Sequence, residues 1–337
     1  MRKNRIVIVI PVFNDSASLR ILIEQLATVF SGQLSNVLLL IVDDGSVPPL
    51  VDLIDVDFKS AFQCRILTLK RNVGHERAIA IGISFAVHDD LADTLAIIDA
   101  DGEDNPADVP RLIAAVRNPD DMTIAVGERR KRSERLLFRI FYHLYRILFL
   151  VLTGHRIRFG NLSAMPIAVA RRLADMSELW LSLPATILRS HCPIAMVPTE
   201  RSRRFHGQSH MSIVSLVVFG LSAIAVFVER ALTRIILGAI ALVAIAALSS
   251  ATAVTLKLVG MATPGWVTTV LGTSVVVLLG TAVLCFVGLF LSIIGGAHNV
   301  PSPNATYRSF IARVADFDGN IWIDVGHPSL NESAASH

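Results

Sequence analysis

Hydrophobic positions follow two regimes along the chain. In the N-terminal half, short apolar runs alternate with segments whose apolar residues recur every three or four positions. This pattern predicts strands over Ile6–Val12, Val37–Val42, Cys64–Leu69, Leu95–Ile98 and Met122–Val126, and helices over Ser16–Phe30, Glu76–Val87 and Pro106–Val116. It points to an α/β fold: a doubly wound, mainly parallel sheet with helices on both faces. Further on, Ile235–Gly295 holds a single charged residue, Lys257, and a break at Gly260–Trp266 separates Ile235–Val259 from Val267–Ile294. Both stretches exceed the roughly 20 residues that a helix needs to cross a hydrocarbon core about 30 Å thick, so two transmembrane helices are expected.

A third pattern lies between these regimes. Leu136, Leu137, Ile140, Phe141, Leu144, Leu148 and Val151 recur at helical spacing beside Arg129, Arg130, Lys131, Arg132, Arg135, Arg139 and Arg146. An apolar stripe next to a basic face predicts a helix lying in a membrane interface over 129–153, the alternative being a soluble core helix with a solvated basic face. Met211–Val228 forms a second apolar segment just ahead of the first span.

Composition sharpens this division. Of 337 residues, 53% are hydrophobic and 18% charged, which is too apolar for an ordinary soluble protein and excludes a disordered or nucleic-acid-coating one. The net charge of +3 conceals a gradient: residues 1–127 carry −7, 128–158 carry +7, 159–234 carry +4 and 235–337 carry −1. Arg230 and Arg234 flank the first span, while the loop between the spans has no basic residue beyond Lys257 at its edge, so both termini are expected in the cytoplasm. The apolar run after Met1–Arg5 is too short for a signal peptide and reads as a first strand. Cys64, Cys192 and Cys285 have neither metal nor disulfide spacing, which fits a reducing compartment, and the histidines lack paired zinc-ligand spacing.

In sheets of this kind ligands bind outside the carboxyl ends of the strands. The residues expected there are Asn14-Asp15, Asp43-Asp44-Gly45-Ser46, Lys70-Arg71-Asn72, Asp99-Ala100-Asp101 and Glu128-Arg129. Asp99, Asp101, Glu103 and Asp104 place four carboxylates within six residues, and their mutual repulsion calls for a cation. A solvated acidic turn capping the helix at Pro106 is the alternative on this segment alone. Asp43-Asp44 taken singly is ordinary turn chemistry.

In order, Ile8-Val9-Ile10-Pro11-Val12-Phe13-Asn14, Val42-Asp43-Asp44-Gly45-Ser46, Arg71-Asn72-Val73-Gly74-His75-Glu76, Asp99-Ala100-Asp101, Gly127-Glu128-Arg129, Phe141-Tyr142 and Arg201–Ser209, followed by two spans, resemble the family 2 glycosyltransferases of the GT-A fold. The likeness is specifically to polyprenyl-phosphate glycosyltransferases such as dolichyl-phosphate mannose synthases and bactoprenol glucosyltransferases, and covers about residues 5–294. It implies transfer of one sugar, with inversion, from a nucleotide-diphosphate donor to polyprenyl phosphate. UDP-hexose is the favoured donor and GDP-mannose the alternative. By the same resemblance Pro11, Asn14, Asp15, Asp43, Asp44, Asn72 and Asp99 hold the nucleotide, and Asp99, Asp101 and Glu103 hold Mg²⁺ or Mn²⁺. Asp101, Asp104, Arg129, Arg132, Arg201 and Arg204 form the catalytic set; each of these arginines is an acceptor-phosphate ligand or a headgroup contact.

Several residues depart from the family pattern. Asn161 stands where close relatives often carry the Asp proposed as base, so that role does not transfer; Asn161→Asp is expected to keep or raise activity. His75 and His210 replace common lysines, and Met211 a common aromatic. A phosphate monoester has its second pKa near ~6 and is largely anionic at neutral pH, so the reaction tolerates the missing base.

The expected organisation is a cytoplasmic catalytic domain over 1–205, a juxtamembrane helix over 206–230, spans over 235–259 and 267–294, and a cytoplasmic tail over 295–337. Such a chain is a multi-pass protein of the cytoplasmic (inner) membrane, its partners the nucleotide sugar, polyprenyl phosphate and the lipid bilayer, with no nucleic acid and self-association left open. The competing class is a catalytically weakened membrane scaffold or regulatory subunit, motivated by Asn161 and the missing lysines.

Overall fold

A computed structural model describes residues 5–32, 36–53, 63–116, 122–129, 136–200, 202, 204–205, 213–261, 263, 265–294, 300–317 and 322–326. It has two compact units: one of Met1–Tyr142, Ile157–Val226 and Val300–His337, the other of His143–Arg156 and Phe227–Asn299.

In the first unit the chain runs β1 (Ile6–Val12), α1 (Ser16–Val29), β2 (Val37–Asp43), α2 (Leu50–Leu53), β3 (Gln63–Leu69), α3 (His75–His88), β4 (Thr94–Ile97), α4 (Val109–Ala115) and β5 (Ile124–Arg129). It continues through α5 (Leu136–Thr153), whose second half belongs to the other unit, then β6 (Phe159–Pro166), α6 (Ile167–Ala174), α7 (Leu183–Arg189), β7 (Ile194–Thr199) and α8 (Ile213–Ala225). After α9 (Val228–Leu258) and α10 (Trp266–Ile294) of the second unit come α11 (Pro303–Thr306), β8 (Ile311–Phe317) and β9 (Trp322–Gly326).

Among the described residues nine strands form one sheet in the order β7-β5-β6-β4-β1-β2-β3-β8-β9. The neighbours β4, β1, β2 and β3 are parallel; only β6 and β8 run against the other seven. All seven residues of β1 are buried, because helices cover both faces of this central strand. Ile6, Ile8 and Ile10 pack with Leu19, Leu22 and Ile23 of α1, while Val7 and Val9 pack on the opposite face with Ile79 and Ile83 of α3. The period of two thus places alternate side chains in two separate cores, as a doubly wound sheet requires.

The elements expected up to β5 are present, with ends moved by no more than three residues. Strands β6 and β7 were not foreseen: Phe-Gly-Asn-Leu-Ser-Ala-Met-Pro has little intrinsic strand preference and becomes one by pairing between β4 and β5. The larger difference concerns the segment read as a tail. Residues 311–317 join the sheet against β3, and Arg65 grips Asp316 through Nε at 2.5 Å and Nη2 at 2.8 Å. Trp180 Nε1 donates to Pro301 O at 2.9 Å, and Lys70 N donates to Phe310 O at 2.9 Å. Tyr307, Ile311, Val314 and Phe317 are buried.

In the second unit α9 and α10, of 31 and 29 residues, contain the expected spans and are both long and apolar enough to cross a membrane. Leu248, Val276, Leu284 and Phe286 are each 70% exposed, an outward apolar surface suited to lipid. The two helices meet at Ser250 and Ser274, whose hydroxyl oxygens are 2.9 Å apart. Arg234 Nη1 donates to Leu150 O at 3.0 Å and Val151 O at 2.7 Å, so a cation of α9 satisfies the last carbonyls of α5. Within the stretch 129–153 a helix runs from Leu136 to Thr153; 130–135 lie outside the described residues.

Candidate functional site

Loops from the carboxyl ends of the parallel strands β1, β2 and β3 interlock. Asn14, in the left-handed region at φ 50°, donates its backbone N–H to Ser46 Oγ at 2.9 Å and accepts from Val47 N through Oδ1 at 2.9 Å. Asp43 is fully buried and accepts from Ser46 N and Leu50 N, both at 3.0 Å. Asp44 accepts from Val73 N at 2.7 Å and Gly74 N at 3.0 Å, tying the β2 loop to the β3 loop. Burial pushes its carboxyl above the usual range, and those two N–H groups oppose the shift. Gly45 completes the joint: at φ 72°, a Cβ there would lie 2.6 Å from the Arg71 carbonyl carbon and the Asn72 nitrogen. No side chain fits that approach.

These contacts distribute roles within the expected nucleotide set. Asp43 and Asp44 shape the cradle through backbone amides, and Asp15 accepts from Ser18 N at 3.1 Å as the cap of α1. Pro11 is buried in β1, opposite Val42. Asn14 and Asn72 are exposed at the rim, as is Phe13, an apolar ring with no core to enter.

The acidic loop follows β4. Asp101 Oδ1 accepts from Glu103 N at 2.9 Å, and Asp101 Oδ2 accepts from Arg204 Nη2 at 2.6 Å. Arg204 Nε also lies 3.4 Å from Glu103 Oε1. The strap carrying Arg204 is fixed by its main chain: Ser202 N donates to Glu103 O at 2.9 Å and Phe205 N to Asp101 O at 3.1 Å. The Phe205 ring fills the space where a Cβ of Gly102 would be, at 2.5 Å. Burial, then the charge of Asp99, raise the Asp101 carboxyl, while Arg204 pulls it down. Asp104 is buried.

Three hard carboxylate oxygen donors, Asp99, Asp101 and Glu103, suit Mg²⁺ or Mn²⁺ by their chemistry. Among the described residues no three His, Cys, Asp or Glu side chains converge on a point fit for a metal ion. A guanidinium instead bridges Asp101 and Glu103 as a stand-in cation, which marks where positive charge is demanded.

A third group joins the cradle to the acidic loop. Gly74 N serves Asp44, and the next residue, His75, places Nε2 3.2 Å from Asp99 Oδ1. Burial alone would lower the imidazole, but the charge and hydrogen bond of Asp99, with Glu76 and Asp101 behind, push it from 6.5 up to about 9. Asn161 Nδ2 lies 3.0 Å from His75 Nε2 and donates to Glu76 Oε1 at 3.1 Å; Leu183 N donates to Glu76 Oε2 at 2.7 Å. Burial drives Glu76 upward. Glu76 is absent from the residues that the sequence offers for the site. Its signal was a lone carboxylate at the start of the almost wholly apolar α3.

Of the arginines expected here, only Arg204 is placed with its side chain. Arg129 closes β5, but its side chain, Arg132 and Arg201 lie outside the described residues.

Residues 7–166 match the family model "Glycosyl transferase family 2". Dodecaprenyl-phosphate galacturonate synthase of Rhizobium johnstonii is 29% identical over 133 residues, 39% of this chain and 38% of that protein. Undecaprenyl-phosphate 4-deoxy-4-formamido-L-arabinose transferase of Photorhabdus laumondii is 32% identical over 136 residues, 40% of each chain. The matched part thus spans about 40% of the length of these curated relatives. A solved structure of glucosyl-3-phosphoglycerate synthase from Mycobacterium tuberculosis, with Mn²⁺, UDP and phosphoglyceric acid, covers 68% of this chain and 78% of its own at 16% identity and a TM-score of 0.49. The match over β1 to β6, with its cradle of strand-end carboxylates, makes residues 7–166 a glycosyl transferase family 2 domain, followed in this chain by two helices fit to cross a membrane.

Proposed function

We propose that this protein transfers a single sugar, with inversion, from a nucleotide-diphosphate sugar to the phosphate of a polyprenyl lipid at the cytoplasmic face of the inner membrane. The favoured donor is a UDP-hexose, with GDP-mannose as the alternative. The observation that carries this reading is the continuity of cradle and acidic loop through Gly74 and His75 in a family 2 domain. The names of the relatives support the acceptor class. The pairing of β8 with β3 needs the chain before α9 and after α10 on one side, which two crossings satisfy.

In the reaction an acceptor phosphate oxygen attacks the anomeric carbon, the bond from that carbon to the donor phosphate breaks, and the nucleotide diphosphate leaves with the bonding pair. Since the acceptor oxygen is already largely anionic (second pKa near ~6), no side chain has to take its proton, consistent with Asn161. The cradle built by Asp43, Asp44 and Gly45, with Pro11, Asn14, Asp15 and Asn72 around it, orients the nucleotide. Asp99, Asp101 and Glu103 would hold Mg²⁺ or Mn²⁺, which when bound supplies charge neutralisation on the diphosphate leaving group. Arg129, Arg132, Arg201 and Arg204 provide guanidinium forks for the acceptor phosphate.

The test is incubation of membranes holding the full chain with labelled nucleotide sugars, polyprenyl phosphate and Mg²⁺ or Mn²⁺, followed by lipid extraction. Label in the lipid that Asp101→Asn abolishes is the expected result. No transfer from any donor by a correctly inserted protein would favour the scaffold class.

A further inference from the structure

Arg204 reaches Asp101 and Glu103 from a strap a hundred residues away in sequence, and two separate sets of forces hold that strap. Its backbone is fixed by Ser202 N on Glu103 O and Phe205 N on Asp101 O, and its ring by Gly102. The guanidinium is held by charge, at 2.6 Å from Asp101 and 3.4 Å from Glu103. Its side chain is 28% exposed and those of the two carboxylates 22% and 18%, so it can swing out to water without opening the core. A divalent cation coordinated at about 2.1 Å by the same oxygens would stand against a guanidinium nitrogen, and like charges in so small a space exclude one another.

We infer that Arg204 is a displaceable counterion, seated on Asp101 and Glu103 while the divalent cation is absent and released when it binds, which frees the guanidinium for an anionic phosphate. This rests on the reading of those two carboxylates as metal ligands. It gives Arg204 two successive partners and sets an order, cation before phosphate. Until the metal arrives, the acidic loop is neutralised from within, and the phosphate fork is withheld.

The probe is Mn²⁺ alone, titrated into detergent-solubilised, nucleotide-free full-length protein, with free Mn²⁺ read by electron paramagnetic resonance. Removing the competing cation in Arg204→Gln is expected to tighten Mn²⁺ binding about tenfold, or about 1.4 kcal/mol, with Arg204→Lys in between. A check that needs no variant is phenylglyoxal labelling of the unmodified protein with peptide mass spectrometry; saturating Mn²⁺ should speed labelling of Arg204 several-fold. Equal Mn²⁺ affinities together with unchanged Arg204 labelling would overturn the counterion role and leave the metal site standing. Absence of Mn²⁺ binding in every protein, with and without UDP, would overturn both.

Discussion

Ending the chain at Asn299 removes α11, β8 and β9 and leaves both membrane-length helices in place. Tyr307, Ile311, Val314 and Phe317 are 2%, 0%, 5% and 7% exposed. At about 1.5–3 kcal/mol for each large side chain fully buried, these four contribute roughly 6–12 kcal/mol as an upper estimate. The Arg65–Asp316 pair is partly exposed and adds little. Net stabilities of domains are about 5–15 kcal/mol, so the loss is comparable to the whole. It also bares the β3 edge, a template for association. The assay is thermal melting with fluorescence-detected size exclusion of full-length and truncated chains from the same membranes. The truncated chain should aggregate and show no cooperative transition of the sheet unit. A milder probe, Tyr307→Ala, should cost about 3–5 kcal/mol as other large aromatic deletions do, and at about 2–4 °C per kcal/mol for a unit of this size should lower Tm by about 6–20 °C. A truncated chain melting within about 2 °C of the intact one would refute the reasoning.

Three more outcomes are expected. Gly45→Ala should weaken UDP-sugar binding in calorimetry far more than Gly74→Ala: both sit at positive φ, a strain of about 1–2 kcal/mol, but only at Gly45 does the new Cβ meet backbone; equal losses would show that the close approach is unimportant. In metal-free buffer, stability should fall from pH 6.5 towards about 9: His75, raised in the folded state, contributes fully below its ordinary value of 6.5 and loses that contribution as pH rises through about 9. His75→Gln should flatten the melting curves over this interval, and no change of slope would refute the pairing with Asp99. Asn161→Asp should lower Tm in alkaline buffer and regain it on acidification, because it sets a second carboxylate against Glu76 and the pair then shares one proton. A pH-independent Tm for that variant would remove the proposed repulsion.

Which features were legible in the sequence follows from how local their causes are. β1, β2 and β3 are seven-residue runs bounded by turn residues, and α9 and α10 each hold a long apolar stretch, so pattern alone locates them. The clusters Asp43-Asp44 and Asp99–Asp104 stand at strand ends for the same reason. β6, with its Gly, Asn, Ser and Pro, is a strand only because its neighbours make it one. In the site, the contacts of Asn161 with His75 and of Arg204 with Asp101 join residues 86 and 103 positions apart. No spacing rule reaches that far. The tail was unreadable as sheet because its partner, β3, lies about 250 positions upstream.

That last pairing also carries a consequence for biosynthesis. Domains ordinarily consolidate as they leave the ribosome, N-terminal parts first. Here β3 stays an open edge until Ile311–Phe317 has been translated, after both membrane-length helices have been made. A nascent chain inserted with only one helix across would strand β8 and β9 on the far side from their partner, and its sheet could never close. Under the proposed topology, the last strands can complete the sheet only in a chain whose two long helices have both crossed.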